Sequence, residues 1–326
     1  MLSTPLFRTV LAERLSRIRG VRADPPDVVV CAGTVAAVSL LARALRATGH
    51  TAIGVEDPCW IRLRPSVEAA GLRLVPLPVD DRGRVVSALA DQPDVRAVLT
   101  TPAHQFPTGV VMSPDRRTEL LDFARARAGV IVEDDYDAEF RYDRRPVGTL
   151  QAMAPDLVAY VGSTSKILSP ALRLGWLVVP EHLATAIAEL RPSVDLGVSV
   201  LEQLAMAQLM RTGTLDRHLR STRARYGRRL ETLVAAVREH LPSVRIGGIA
   251  AGLHVVARLP PGCPEDEVVA EAAAQGIKVL GISQYAVGPR SPAPALVLGY
   301  ASLGERAIRE GVAELATIEQ VHRPPG

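Results

Sequence analysis

The feature that most constrains this chain is an alternation. Between residues 28 and 179, short apolar runs take turns with helix-like stretches. The runs at 28–30, 52–55, 72–79, 95–101, 129–132 and 157–161 read as strands. The stretches at 35–47, from Trp60 to about 70, and from Ser113-Pro114 to about 128 read as helices, the last with an N-cap serine and a proline in its first turn. Strands and helices alternating about every 25 residues predict βαβ units and a mostly parallel sheet with helices on both faces. Residues 5–20 read as a further helix, closed by Gly20. After Val179 the texture changes. Helices are expected at 181–191, 198–211, 215–239, 265–275 and 304–318, and strands at 244–246, 253–259, 277–282 and 296–299, a pattern for a smaller α+β domain.

In a parallel sheet of this kind, ligands sit beyond the carboxyl ends of the strands. Five polar or aromatic groups fall just past a strand end here: Gly33-Thr34, Trp60, His104-Gln105, Asp134 to Tyr136, and Ser163 to Lys166. Their convergence on one edge predicts a site there.

Lys166 is one of only two lysines, the other being Lys278; the remaining 36 of the 38 basic residues are arginines. A guanidinium stays protonated, whereas an amine can lose its proton and act as a nucleophile. On its own Lys166 could equally be a surface residue in a Ser/Thr-rich loop. Asp134 and Tyr136 are two apart, so an extended segment points both to one face. A carboxylate there can keep the nitrogen of a pyridoxal ring protonated, and the phenol can bond the ring's oxygen. Ser163, Ser165 and the Arg173 fork suit a phosphate, with Gly33 and Thr34 adding backbone donors at a helix start. Trp60 either stacks on a planar ring or fills core. Arg62 either holds a substrate carboxylate or is a solvated helix residue. His104 and Gln105 either bond the ring oxygen and line the pocket or stabilise a turn, and Cys59 can be a small apolar filler.

Composition narrows the classes. Net charge is +3, and the densest arginine run, 217–229, has apolar positions between its charges, as a solvated helix face does. Three scattered cysteines without a CxxC pair argue against a zinc site or a disulfide framework and for a reducing compartment. No apolar run reaches the ~18 residues of a membrane span. A cytoplasmic location is expected.

The segments EDPCW (56–60), TPAHQFPTGVVMS (101–113), VEDDYDAEFRYDRRP (132–146), YVGSTSKILSPALRLGWLVVP (160–180) and LEQLAMAQLMRTGTLDRHLR (201–220) resemble the fold-type I pyridoxal-phosphate enzymes, the class I/II aminotransferases. Within these they are similar to the aminotransferase-like domain of the MocR-type regulators of the GntR superfamily. The likeness runs from about residue 6 to 320. It implies pyridoxal 5'-phosphate as cofactor, Lys166 as its Schiff-base lysine, Asp134 on the ring nitrogen and Tyr136 on the ring oxygen. It implies Ser163, Ser165, Arg173, Gly33 and Thr34 on the phosphate, an amino acid or amine and a keto acid as substrates, and a homodimer. The expected division is an N-terminal helix packing with the small domain (1–22), a large cofactor-binding domain (23–197), and connecting helices with a small C-terminal domain (198–326). The few residues before the first helix leave no room for a winged helix-turn-helix, so specific DNA binding by this chain alone is not expected. The two function classes that follow are an aminotransferase and a non-catalytic sensor of the cofactor and an amine. Relatives carry an arginine where this chain reads Ser283-Gln284-Tyr285.

Overall fold

The computed structural model describes residues 3–142, 147–194, 197–248, 250–289 and 292–322, so residues 143–146 of the VEDDYDAEFRYDRRP segment lie outside the described residues. The elements run α1 (Pro5–Arg19), β1 (Val28–Cys31), α2 (Thr34–Ala47), β2 (Ala52–Asp57), α3 (Arg64–Ala69), β3 (Arg73–Asp80), β4 (Gly83–Arg84), β5 (Val95–Thr100), α4 (Pro114–Ala126), β6 (Val130–Asp134), α5 (Leu150–Met153), β7 (Val158–Ser163) and β8 (Gly175–Val178). Then come α6 (Glu181–Val194), α7 (Val200–Arg211), α8 (Thr214–His240), β9 (Arg245–Gly247), β10 (His254–Arg258), α9 (Glu265–Ala274), β11 (Leu280–Gly281), β12 (Ala295–Gly299) and α10 (Glu305–His322).

Eight strands form one sheet in the order β1-β8-β7-β6-β5-β2-β3-β4. Neighbours from β7 through β3 are parallel; β8 is antiparallel to both β7 and β1, and β4 to β3. The inner strands are buried on both faces, which is why they read as unbroken apolar runs. Their side chains still alternate. Val130 and Val132 of β6 join α2 and α6 in one core, while Ile131 joins α4 and α5 in the core on the other face. A second sheet, β11-β12-β10-β9, packs with α9, α10 and the later half of α8 around Leu233, Val237, Val268, Leu296 and Leu315.

The structure departs from the sequence expectations in three places. β8 is an antiparallel strand between β1 and β7, where none was expected. The strand expected at 277–282 shrinks to Leu280–Gly281. Beyond it the Glu265 carboxylate accepts from Ser283 N, Ser283 Oγ and Ala295 N, so these donors serve a side chain instead of a strand ladder. The third concerns α1, expected against the small domain. Phe7, Leu11 and Leu15 are buried instead with Val28, Val30 and Trp176 of the large sheet and Met206 and Met210 of α7. The start of α8 (Leu215, Leu219) lies in that same cluster, so α8 spans both cores. Among the described residues no helix is long and apolar enough to cross a membrane.

Candidate active site

The strand order reverses between β5 and β2: the chain leaves β2 toward β3 and leaves β5 toward β6 and β7. A crevice opens where the strand ends diverge. It is a cavity of about 440 Å³, lined by residues at the carboxyl ends of β2, β5, β6 and β7. Of the residues singled out in the sequence, Thr34, Trp60, Arg62, Asp134, Tyr136, Ser163, Ser165, Lys166 and Arg173 all line it.

Asp134 closes β6 and is 4 % exposed. Its Oδ1 has no hydrogen-bond partner. Burial first, then the charges of Asp135 and Asp137, push its carboxyl up to about pKa 8, and Lys166 pulls the other way. An ionisable oxygen left unpaired in a cavity wall fits a cationic N–H donor. Lys166 rides on the turn that follows β7. Thr164 pins that turn by donating both its N–H (2.9 Å) and its hydroxyl (3.0 Å) to Leu174 O.

At the other end of the cavity, α2 begins at Gly33, which has φ 83° and caps no backbone N–H with a side chain. The first N–H groups of a helix lack partners and carry the positive end of its dipole. Arg173 sits opposite, at φ 48°. Its guanidinium lies 3.3 Å from where a Gly33 Cβ would be and donates to Ala32 O at 2.7 Å. A Cβ on Gly175 would fall 2.8 Å from Gly33 Cα, so this close approach of β1 and β8 requires glycine. Uncapped N–H groups beside an arginine and two serines fit an anion such as phosphate.

Trp60 is half-buried; it lines the cavity and packs on the core beneath α2. Arg62 is exposed at the rim. Burial raises the Tyr285 phenol above its usual range, and the Arg62 charge opposes that, which places the two near each other.

His104 and Gln105 do not line the cavity. Gln105 is a clamp. Its amide donates to Pro58 O (2.8 Å) and Phe106 O (2.7 Å), and its carbonyl accepts from Thr108 N and Oγ. That is the turn-stabilising alternative. His104 lies behind Tyr136, with Nδ1 3.0 Å from the phenol oxygen and 2.7 Å from Asp137 Oδ2.

Sequence reasoning missed Glu56, Phe106 and Asp137. Glu56 lines the cavity, 3 % exposed, and accepts from the Thr100 hydroxyl, Thr101 N (3.2 Å), Thr101 Oγ (2.8 Å) and Gln105 Nε2 (3.2 Å). It ties the ends of β2 and β5 together. An acid closing an otherwise apolar strand was the available signal. Phe106 stands edge-on to Tyr136 (5.9 Å) and Tyr285 (5.1 Å), which only the tertiary fold brings together.

Residues 2–303 match the model of the family "Aminotransferase class I and II". The chain belongs to this family. It is 36% identical over 317 residues to the probable rhizopine catabolism regulatory protein MocR of Rhizobium meliloti, covering 95% of this chain and 63% of that one. It is 33% identical to the HTH-type pyridoxine biosynthesis transcriptional regulator PdxR of Corynebacterium glutamicum, covering 95% and 67%. It is 29% identical to aromatic-amino-acid aminotransferase 1 of Thermococcus litoralis, covering 96% and 77%. The chain therefore spans about two thirds of the length of these regulators. The structure of the multiple substrate aminotransferase from Thermococcus profundus superposes with a TM-score of 0.88 at 26% identity, covering 99% of this chain and 82% of that one.

Proposed function

We propose that the chain binds pyridoxal 5'-phosphate through Lys166 and acts as an aminotransferase on an amino acid or amine. The observation that carries this is the pairing of Lys166 with the unpartnered, buried Asp134 oxygen in one cavity, across from the uncapped start of α2. When bound, this cofactor supplies an electron sink for negative charge developing at the carbon beside the substrate's amine. Asp134 would hold the ring's N–H and, given that cation, ionise. Tyr136 would donate to the ring oxygen. Ser163, Ser165, Arg173 and the N–H groups of Thr34 and Val35 would hold the phosphate, while Trp60 covers a ring face. The Lys166 amine would hold the cofactor and, once freed by the substrate's amine, would serve as the base that moves the proton of the substrate's α-carbon. Arg62 at the rim would meet a substrate carboxylate. Leu201, 79 % exposed on α7 with Val200 and Leu204 exposed on the same helix, supports a second copy of the chain covering this face. The test is an absorbance scan with added cofactor: a visible band that Lys166→Ala abolishes is expected, and an unchanged band in that variant overturns the reading.

A second reading is favoured by the regulators at 33% and 36% identity. On it the same site senses the cofactor and an amine without turnover. Keto-acid formation from a panel of amino acids supports the enzyme. Spectral changes with amino acids and no keto acid support the sensor.

A further inference from the structure

The Tyr136 hydroxyl faces the cavity on one side and a polar pair on the other. Behind it, His104 Nδ1 is 2.7 Å from Asp137 Oδ2 and 3.0 Å from the Tyr136 oxygen, and both His104 and Asp137 are 3 % exposed. A carboxylate only accepts, so the hydrogen between the two sits on Nδ1. A nitrogen carrying that hydrogen cannot accept one from the phenol. The phenol oxygen becomes instead a second acceptor for the same N–H. His104 Nε2 is buried with no partner, the state of a ring nitrogen that carries no hydrogen.

The pair is held from the second sheet's side of the molecule. A Cβ on Gly252, which has φ +77°, would fall 2.3 Å from His104 Cε1 and 2.8 Å from Asp137 Oδ2. Gly252 is itself fixed: its carbonyl accepts from Tyr142 and Tyr300, both at 2.7 Å, and its N–H donates to Phe140 O at 2.8 Å. His104 therefore has no space in which to turn its ring. Burial first, then the Asp137 charge, keeps the Tyr136 phenol well above its usual range, so it retains its proton.

We propose that His104 and Asp137 are a positioning pair for Tyr136: by fixing the hydrogen of His104 on Nδ1 they deny the phenol an acceptor nitrogen behind it, and so aim its hydroxyl at an acceptor oxygen on the ring of the bound ligand. This rests on the cofactor reading above. Without Asp137 the imidazole is free to carry its hydrogen on Nε2, and Nδ1 then draws the phenol's proton out of the cavity.

The test compares two ligands, pyridoxal 5'-phosphate and its 3-deoxy analogue, which lacks the ring oxygen, by quenching of tryptophan fluorescence. Asp137→Asn is expected to weaken the first about tenfold, the size of one lost hydrogen bond to a charged oxygen, and to leave the second within about twofold. Tyr136→Phe should show the same selectivity, and the double variant should bind no more weakly than Tyr136→Phe alone. Equal losses on both ligands, or a full Asp137→Asn effect in the Tyr136→Phe background, overturn the proposal. Comparing ligands within one variant cancels general effects on folding. If Asp137→Asn does not fold, His104→Phe, which frees the Asp137 carboxylate to accept the phenol's proton in place of the ring oxygen, carries the same expectation. A wild-type protein that binds neither ligand overturns the cofactor reading itself, a different result from loss of selectivity.

Discussion

Asp134→Asn should remove a loss of stability that the protein without cofactor suffers as pH rises, while taking away its hold on the cofactor. Burial, then Asp135 and Asp137, raise the Asp134 carboxyl to about pKa 8 from an ordinary 3.8. A group whose pKa is higher folded than unfolded contributes stability that is complete below the unfolded pKa and lost as pH rises through the folded one. The window is therefore from about pH 4 to about pH 8. Each pH unit in it is worth about 1.4 kcal/mol for a single carboxyl, so roughly 4 kcal/mol goes between about pH 4 and about pH 7. Asparagine is nearly isosteric and carries no charge to desolvate. Its unpaired amide costs about 1–3 kcal/mol at every pH, so only the pH dependence separates the two proteins. Urea melts at about pH 4.5 and about pH 8, with and without pyridoxal 5'-phosphate, measure this directly. Without cofactor, the variant should gain on the wild type by about 2–4 kcal/mol over that range. Glu133, raised to about 7 mainly by burial, titrates alike in both proteins and cancels in the difference. Cofactor at about one hundred times its Kd should add about 2.7 kcal/mol to the wild type and far less to the variant. Parallel pH profiles for the two proteins, or equal stabilisation by cofactor, would refute the reasoning.

Two further perturbations address the frame of the site. Arg19 of α1 grips Asp135 with two nitrogens, at 2.7 and 3.0 Å, next to Asp134; Arg19→Gln should lower stability by about 3 kcal/mol in urea melts, as loss of one partner of a buried pair does, and a cost below about 1 kcal/mol would mean that the pair does not brace this strand end. Gly175→Ala sets a methyl 2.8 Å from Gly33 Cα; it should lower stability by about 1–3 kcal/mol and weaken binding of inorganic phosphate in calorimetry, whereas unchanged binding would separate this contact from the anion cradle.

What was legible in the sequence was what depends on short range. Strands that end in polar residues put Asp134, Tyr136, Ser163 and Lys166 at one edge, because a parallel sheet aligns all its carboxyl ends. The lysine stood out because arginine serves nearly everywhere else. What was not legible depends on distant packing. β8 has four residues and no alternation, and only its pairing with β1 and β7 makes it a strand. His104 and Gln105 follow a strand end as the lining residues do. The turn they occupy folds back on Pro58 and Asp137, which hides both from the cavity. Gly252 carries no sequence signal for its contact with His104.

The docking of α1 has a consequence for how the molecule is made. Thr4 N donates to Gln203 at 2.8 Å, and Arg14 pairs with Asp216, contacts spanning 199 and 202 residues of chain. At ribosomal rates of about 5–20 residues per second, the partners of α1 emerge roughly 10–40 s after it does. Through that interval Phe7, Leu11 and Leu15 have no finished surface to cover them, while β2 through β7 can already pair. The helix that is synthesised early is thus among the last to be seated. In a cell, a newly made chain presents this helix to chaperones longer than it presents any part of the large sheet.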